Sequence, residues 1–354
     1  MHKIALLGLG NVGTLAGILL QQAGFHVVGF DQFTPRQELP YPTIETDLSS
    51  AEQLKKELKS FDGVLSALPY ALNPLVAQIA HDLNLHYFDL TEDVHVTKKV
   101  RELSQTGKRL MAPQCGLAPG FISIVASHLS TPFDRVRAIR MRVGALPQHP
   151  TGLLGYAFNW SPEGVVNEYL NDCEVIEEGQ HKWVSPMEWI ETLHVNGRKY
   201  EAFTTSGGLG TMCETFKGRV ENLDYKTIRY PGHAQLMNFF FHELLMRERR
   251  EEAGTILTNA KPRVDDDMVV IHASVEGEIA GHLQRREFVR TYYPKPIYHD
   301  MRRAIAWTTT ASVCAVIEMV RDGTLPQTGF LKQEDISLDA FLNTKSGALY
   351  REER

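Results

Sequence analysis

The apolar positions fall into two textures along the chain. In the first third, short apolar runs of strand length alternate with longer stretches of helical spacing. Lys3-Ile-Ala-Leu-Leu7 reads as a strand. Gly8-Leu-Gly10-Asn11-Val12-Gly13 follows, then an apolar helical stretch, then a second strand ending on Asp31. A third strand is expected at Thr43–Glu45, with Asp47 positioned to cap a helix over Ala51–Leu58. Residues 63–68 form a buried strand that must stop at Pro69, which cannot continue a ladder. Helices over 73–81 and 96–105 alternate with strands over 86–91 and 109–113. This alternation is that of a doubly wound parallel sheet.

At Cys115-Gly-Leu-Ala-Pro-Gly120 the texture changes, and a helix is expected over 121–129. From residue 135 the period is two. Ile139, Met141 and Val143 face one way and Arg140 and Arg142 the other, which predicts a solvated arginine face. Asn196-Gly197 between apolar runs predicts a hairpin of 189–195 with 198–205, because both turn residues tolerate positive φ. Residues 268–275 and 281–292 predict another antiparallel pair, and helices are expected over 162–170, 211–216 and 234–252. Residues 304–320 return to helix, expected to pack back on the first domain, with Gly323 as a stop and Leu338, Phe341, Leu342 and Tyr350 anchoring the tail. The fold class is therefore α/β: a Rossmann-type doubly wound parallel sheet with an inserted α+β domain built on an antiparallel sheet. The expected domains are 1–117 with 303–354, for a dinucleotide, and 118–302, for substrate binding and dimerisation.

Composition narrows the partners. The 354 residues are 43% apolar, enough for two full cores, and carry a formal net charge of −6. That balance argues against a nucleic-acid binder working by phosphate neutralisation. No leader is expected before the glycine turn, and the 304–320 stretch, with Glu318 and consecutive threonines, is a poor membrane span. The four cysteines lack metal-type spacing and suit free thiols in a reducing cytoplasm, and the 14 histidines form no HxxxH pattern, so no metal is expected.

The glycine turn carries the first candidate chemistry. Gly8 permits the turn, Gly10 lets backbone approach a diphosphate, and Gly13 lets the helix pack close to the strand. The helix start at Asn11 and Val12, with its positive dipole end, would hold that diphosphate. Asp31, 18 residues beyond Gly13, is placed to accept from ribose hydroxyls and to repel a 2′-phosphate, favouring NAD over NADP. Arg36 keeps NADP open, since an arginine could pair with that phosphate. Ala67, Leu68 and Pro69 end a parallel strand where ligands bind in open α/β sheets.

Four further segments hold candidate groups. In Asp89-Leu-Thr91-Glu92-Asp93, Thr91 could bond the nicotinamide side of the cofactor and the acids a cationic substrate. Gly116 begins a turn whose following helix could point at cofactor or carboxylate. Tyr156 and Trp160 could wall an apolar pocket, although core packing is the commoner use of aromatics. Thr204-Thr205-Ser-Gly207-Gly208 and Tyr225-Lys226-Thr-Ile-Arg229-Tyr-Pro-Gly-His233 place Arg229 at a strand end, suited to gripping a carboxylate through two parallel hydrogen bonds. Glu92, Asp93, Lys226 and His233 are the candidate bases.

Taken together, these motifs resemble the saccharopine dehydrogenase-like oxidoreductases, and among them the lysine 6-dehydrogenase branch, over roughly residues 3–330. Reductases that form saccharopine typically carry an aspartate before the proline of Gly-Leu-x-Pro-Gly, where this chain has Ala118. The resemblance implies an NAD-linked dehydrogenase acting on a carbon–nitrogen bond of an amino acid, L-lysine or a relative, and a homodimer or homotetramer with the second domain's sheet in the interface. Reductive condensation of an amine with an aldehyde or keto acid, of saccharopine or carboxyspermidine type, is the alternative. A non-catalytic dinucleotide sensor is the rival of another class. Arg229 would then hold the α-carboxylate, with Thr205 and Gly207 lining the pocket.

Overall fold

The computed structural model describes residues 1–33, 35 and 38–351, so Arg36 lies outside the described residues. The chain divides into two compact units, Met1–Ile124 with Ala306–Arg354, and Val125–Ile305.

The first unit opens with strand β1 (Lys3–Leu7), helix α1 (Asn11–Gln22), β2 (His26–Asp31), β3 (Thr43–Glu45), α2 (Ala51–Leu58) and β4 (Gly63–Ser66). It continues with α3 (Asn73–Leu83), β5 (His86–Asp89), α4 (Val94–Ser104) and β6 (Leu110–Ala112). With the short strand Gly329–Phe330 they form a seven-stranded sheet, ordered Gly329–Phe330, β6, β5, β4, β1, β2, β3. Every pairing is parallel. The order reverses between β1 and β4, the switch point at which such sheets bind ligands. Buried Leu, Val, Phe and Ala from the strands meet α2, α3 and α4 in one core around Leu54, Val64, Val76, Tyr87 and Val100. The cap of α2 differs from expectation. Ser50, adjacent to the helix, accepts from the Gln53 amide, while Asp47 accepts from Ser49.

In the second unit the chain runs through α5 (Phe121–Ser130), at whose midpoint the units divide, β7 (Arg135–Pro147), α6 (Pro162–Leu170), and the hairpin β8 (Cys173–Glu177) and β9 (Gln180–Val184). Next come β10 (Glu191–Val195), β11 (Arg198–Thr204), α7 (Met212–Phe216), β12 (Asn222–Arg229), α8 (His233–Asn238), α9 (Arg250–Ala260), β13 (Asp267–Ile279) and β14 (His282–Tyr292). The main path of the sheet is β10, β11, β12, β7, β13, β14, with β8 and β9 attached through β12. It is mixed, because β12 runs parallel to β7 while its other neighbours are antiparallel. The long connection between β7 and β12, which includes α6, α7 and four other strands, returns the chain in the same direction.

Three local expectations are corrected. The single helix expected over 234–252 is broken into α8, a π turn at Phe239–Glu243, a 3-10 turn at Met246–Glu248 and α9, because Leu245 adopts φ +57°, which no α-helix accommodates. The β8–β9 hairpin was not anticipated, though Glu178-Gly179 at its tip, both at positive φ, is a two-residue turn of the hairpin kind. Arg142 does not face solvent. Its side chain is 2% exposed and bonds Glu191 and Asp224.

Helix α10 (Ala304–Arg321) packs against α1 in the first unit. The Thr310 hydroxyl bonds back to Ala306 O at 2.7 Å, which spares a buried threonine an unmet donor and lets it sit in the helix interior. Arg321 Nη1 donates to Ala23 O at 2.6 Å. The tail is anchored by buried Leu338, Phe341 and Tyr350, whose ring stacks on Phe121 at 3.9 Å, with Leu342 half-buried. No helix among the described residues is long and apolar enough to cross a membrane.

Candidate functional site

In the first unit the candidate groups gather at the carboxyl ends of β1, β2, β4 and β5. The three glycines differ in what surrounds them. Gly8 sits at φ +91°, and a Cβ there would lie 2.8 Å from Ala67 O. A Cβ on Gly13 would lie 1.8 Å from Gly8 O. Both are demanded by packing. Gly10 has nothing within 4 Å of where its Cβ would be. It caps α1 without a side chain to occupy the N–H groups of the first turn. A cradle that is open at Gly10, lined by a helix N-terminus and located at the switch point, fits a dinucleotide diphosphate.

Asp31 lies at this turn. Its Oδ2 accepts from the Leu9 amide at 2.5 Å, so the carboxylate holds the glycine turn as well as ending β2. Ala67 and Leu68 are half-buried and Pro69 is exposed at the end of β4. Thr91 is buried at the β5 exit. Its amide donates to Asp89 Oδ1 at 3.0 Å and its hydroxyl accepts from the Asp93 amide at 3.1 Å. Asp93 caps α4, accepting from the Val96 amide at 2.8 Å. Glu92 is half-buried beside them. Gly116 is buried and bridges Gly120, whose Cβ would collide with Gly116 O at 2.0 Å, so this turn admits only glycine.

Beneath Thr91 lies Asp89, the first acid of that segment. It is fully buried and accepts from Tyr87 Oη at 2.7 Å and the Gln114 amide at 2.9 Å. Burial raises its pKa to about 6, against the lowering effect of those donors.

In the second unit the candidates separate into two groups. The first surrounds Arg229, which is buried. Its Nε donates to Tyr169 Oη at 2.8 Å and its Nη1 to Ile228 O at 2.9 Å, and its guanidinium lies 4.6 Å from the Tyr156 ring centre. His233 Nδ1 faces Leu154 O at 2.9 Å, an acceptor only, so that nitrogen carries the hydrogen. Nε2 is then left to accept from Tyr169 Oη at 3.0 Å. Arg229, Tyr169 and His233 thus form one directed chain of hydrogen bonds. Burial, helped by the Arg229 charge, lowers the His233 pKa to about 3. His233 is neutral with its lone pair engaged, which suits positioning and not proton abstraction. Trp160 is half-buried and donates from Nε1 to Tyr156 Oη at 3.3 Å. Thr205 is buried in the same unit with its Oγ1 unpartnered among the described residues. Gly207 takes φ +86°. Gly208 is explained by packing, since the Tyr225 ring fills the place of its Cβ.

Lys226 belongs to the second group, on the other face of β12. Its Nζ donates to Trp189 O at 2.7 Å and to Glu191 Oε2 at 2.9 Å, and Asp224 lies 3.9 Å away. Arg142 completes this cluster. Lys226 is therefore held in an ion-paired cluster, which weighs against it as a base.

Tyr169 and Glu168 on α6 were not singled out from sequence. The signal was available in the helix pattern, where Val165, Val166 and Tyr169 share the buried face. Glu168 is buried near enough to act on the Arg229 charge.

Comparison with known proteins gives one family model, two curated relatives and one solved structure. A family model of the saccharopine dehydrogenase C-terminal domain matches residues 116–344. The mitochondrial alpha-aminoadipic semialdehyde synthase of Rattus norvegicus is 24% identical over 267 residues, covering 67% of this chain and 28% of its own length. The alpha-aminoadipic semialdehyde synthase of Arabidopsis thaliana is 23% identical over 163 residues, covering 44% of this chain and 14% of its own. The chain therefore spans less than a third of the length of these curated relatives. Apo saccharopine dehydrogenase (L-Glu forming) from Saccharomyces cerevisiae superposes with a TM-score of 0.77 at 17% identity, covering 98% of both chains, which is a likeness of fold.

Proposed function

The chain belongs to the saccharopine dehydrogenase family, and from that premise we propose that it is an NAD-dependent oxidoreductase acting on a carbon–nitrogen bond of an amino acid, L-lysine or a close relative. The observation that carries this reading is the open space at Gly10, in a turn otherwise closed by packing, at the start of α1 and the switch point of the parallel sheet. Gly8, Gly10, Asn11, Val12 and Gly13 hold the diphosphate, Asp31 the adenosine ribose, and Ala67, Leu68, Pro69, Thr91 and Gly116 the remainder. Asp31 favours NAD, because a carboxylate repels a 2′-phosphate. NAD, when bound, accepts the hydride from the carbon that bears the amine.

Arg229 grips the substrate carboxylate. The hydrogen bond to Tyr169 fixes the guanidinium plane, and Tyr156 and Trp160 wall the pocket with Thr205 and Gly207. An ammonium cannot lose hydride until it gives up a proton, so a base must take one from the substrate nitrogen. Glu92, Asp93, Lys226 and His233 are the candidate bases; Asp93 also caps α4, Lys226 is ion-paired and His233 accepts from Tyr169. Assembly as a homodimer or homotetramer belongs to the same proposal.

The names of the relatives support a second reading, reductive condensation of an amine with an aldehyde or keto acid. One screen separates the readings. Amino acids and polyamines are offered with NAD and NADP in parallel, and reduced cofactor is offered with amine and carbonyl pairs. The leading proposal expects NADH formation that depends on L-lysine or a relative. Amine-dependent oxidation of NADPH supports the second reading. Dinucleotide binding with no turnover in either direction would leave a sensor.

A further inference from the structure

Outside these groups, the second unit brings a glutamate, a histidine and a cysteine together. Glu174 on β8, His181 on β9 and Cys213 on α7 place one ligand atom each within 4.8 Å of one another. Glu174 and His181 lie on the same face of the hairpin. Glu174 pairs with Trp183, and His181 with Ile176, which makes the two diagonal neighbours. Their side chains touch at 2.6 Å, His181 Nε2 to Glu174 Oε1, and are 32% and 27% exposed in that order. Cys213 is buried against them. Because the ligands come from three elements, no spacing in the sequence announces the group.

We propose that Glu174, His181 and Cys213 form a divalent metal site of zinc type. The donor set is one thiolate, one imidazole and one carboxylate, the mixture that zinc takes and that calcium or magnesium does not. Tetrahedral bonds of about 2.0–2.3 Å set ligand atoms about 3.3–3.8 Å apart. The trio reaches that spacing if the histidine–glutamate contact opens slightly and the cysteine closes in. Binding converts the Cys213 thiol to a thiolate, and its proton leaves to solvent, so affinity rises with pH. Water takes the fourth position, since two of the three ligands reach the surface.

The site has a mechanical use. Along the sheet, β8 meets β12 through the single pair Leu223–Ile176. A metal shared by β8, β9 and α7 would fasten the hairpin to the helix.

The test is cobalt titration of the full-length protein, freed of metal by chelator, followed by competition with zinc. The proposal predicts one cobalt per chain with thiolate-to-cobalt absorption and tetrahedral visible bands, bleached by zinc. Cys213→Ser abolishes the charge-transfer absorption, and His181→Gln, at a half-exposed position, removes the visible bands while leaving dinucleotide binding intact. Zinc raises the thermal midpoint of the wild type and not of His181→Gln. Absence of thiolate absorption in the wild type, or its persistence in Cys213→Ser, would overturn the proposal. If Cys213→Ser does not fold, the wild type and His181→Gln decide the outcome.

Discussion

Gly10 and Gly13 stand three residues apart and carry opposite duties. Gly13→Ala drives a methyl group into Gly8 O, where it would lie at 1.8 Å, so the turn must shift. The expected cost is about 2 kcal/mol or more, read by denaturant unfolding. Gly10→Ala adds a Cβ that meets nothing within 4 Å and costs far less stability than Gly13→Ala, while narrowing the cradle, so NAD affinity falls at least about tenfold. Arg229→Lys keeps the charge and loses the planar fork. It should raise KM for carboxylate substrates at least about tenfold with a smaller effect on kcat. Unchanged KM would remove Arg229 from the substrate's carboxylate. The sequence placed Arg229 at a strand end, but it did not show that Tyr169 fixes its guanidinium, because the two residues are 60 positions apart. It also offered Lys226 as a candidate base without showing its ion pair with Glu191, 35 positions away.

Two elements carry their own tests. At the β5 exit, Asp89 is protonated in both states below about pH 4. Between there and about pH 6 the folded protein keeps a proton that the unfolded chain has lost, so Asp89's contribution to stability is lost as pH rises through that window. Asp89→Asn, which keeps the acceptor for the Thr91 and Gln114 amides, should flatten that fall in a thermal unfolding series. Equal slopes for the two proteins would contradict the assignment. In α10, buried Glu318 accepts from the Lys345 and Ser346 amides at 2.7 and 3.0 Å. Glu318→Ala leaves two backbone donors without that acceptor and should cost about 2–3 kcal/mol, loosening the tail. The alternating run of the first third was legible because β1, β4, β5 and β6 are buried on both faces and stand out as mostly apolar. The second unit was less so. Its β12 lies parallel to β7 across a long excursion, and its hairpin β8–β9 is polar on one face. Neither feature leaves a periodic mark strong enough to read.

At the scale of the whole molecule, the account divides the work between two units: a parallel sheet with an open glycine turn, and a mixed sheet that presents a fixed guanidinium. The fold class was readable because the first strand, glycine turn, helix and acidic second strand stand in a contiguous stretch of chain. The proposed substrate pocket was not, because Tyr156, Tyr169, Phe203 and His233 meet only through tertiary packing. The proposed function stands on the claim that the turn at Gly8–Gly13 receives the diphosphate of a nicotinamide dinucleotide. A structure of the protein crystallised with NAD tests it most directly. The account predicts the diphosphate against Gly10 and the first turn of α1, with the adenosine ribose at Asp31. A turn without the cofactor at saturating NAD, or the dinucleotide bound elsewhere on the chain, would contradict it.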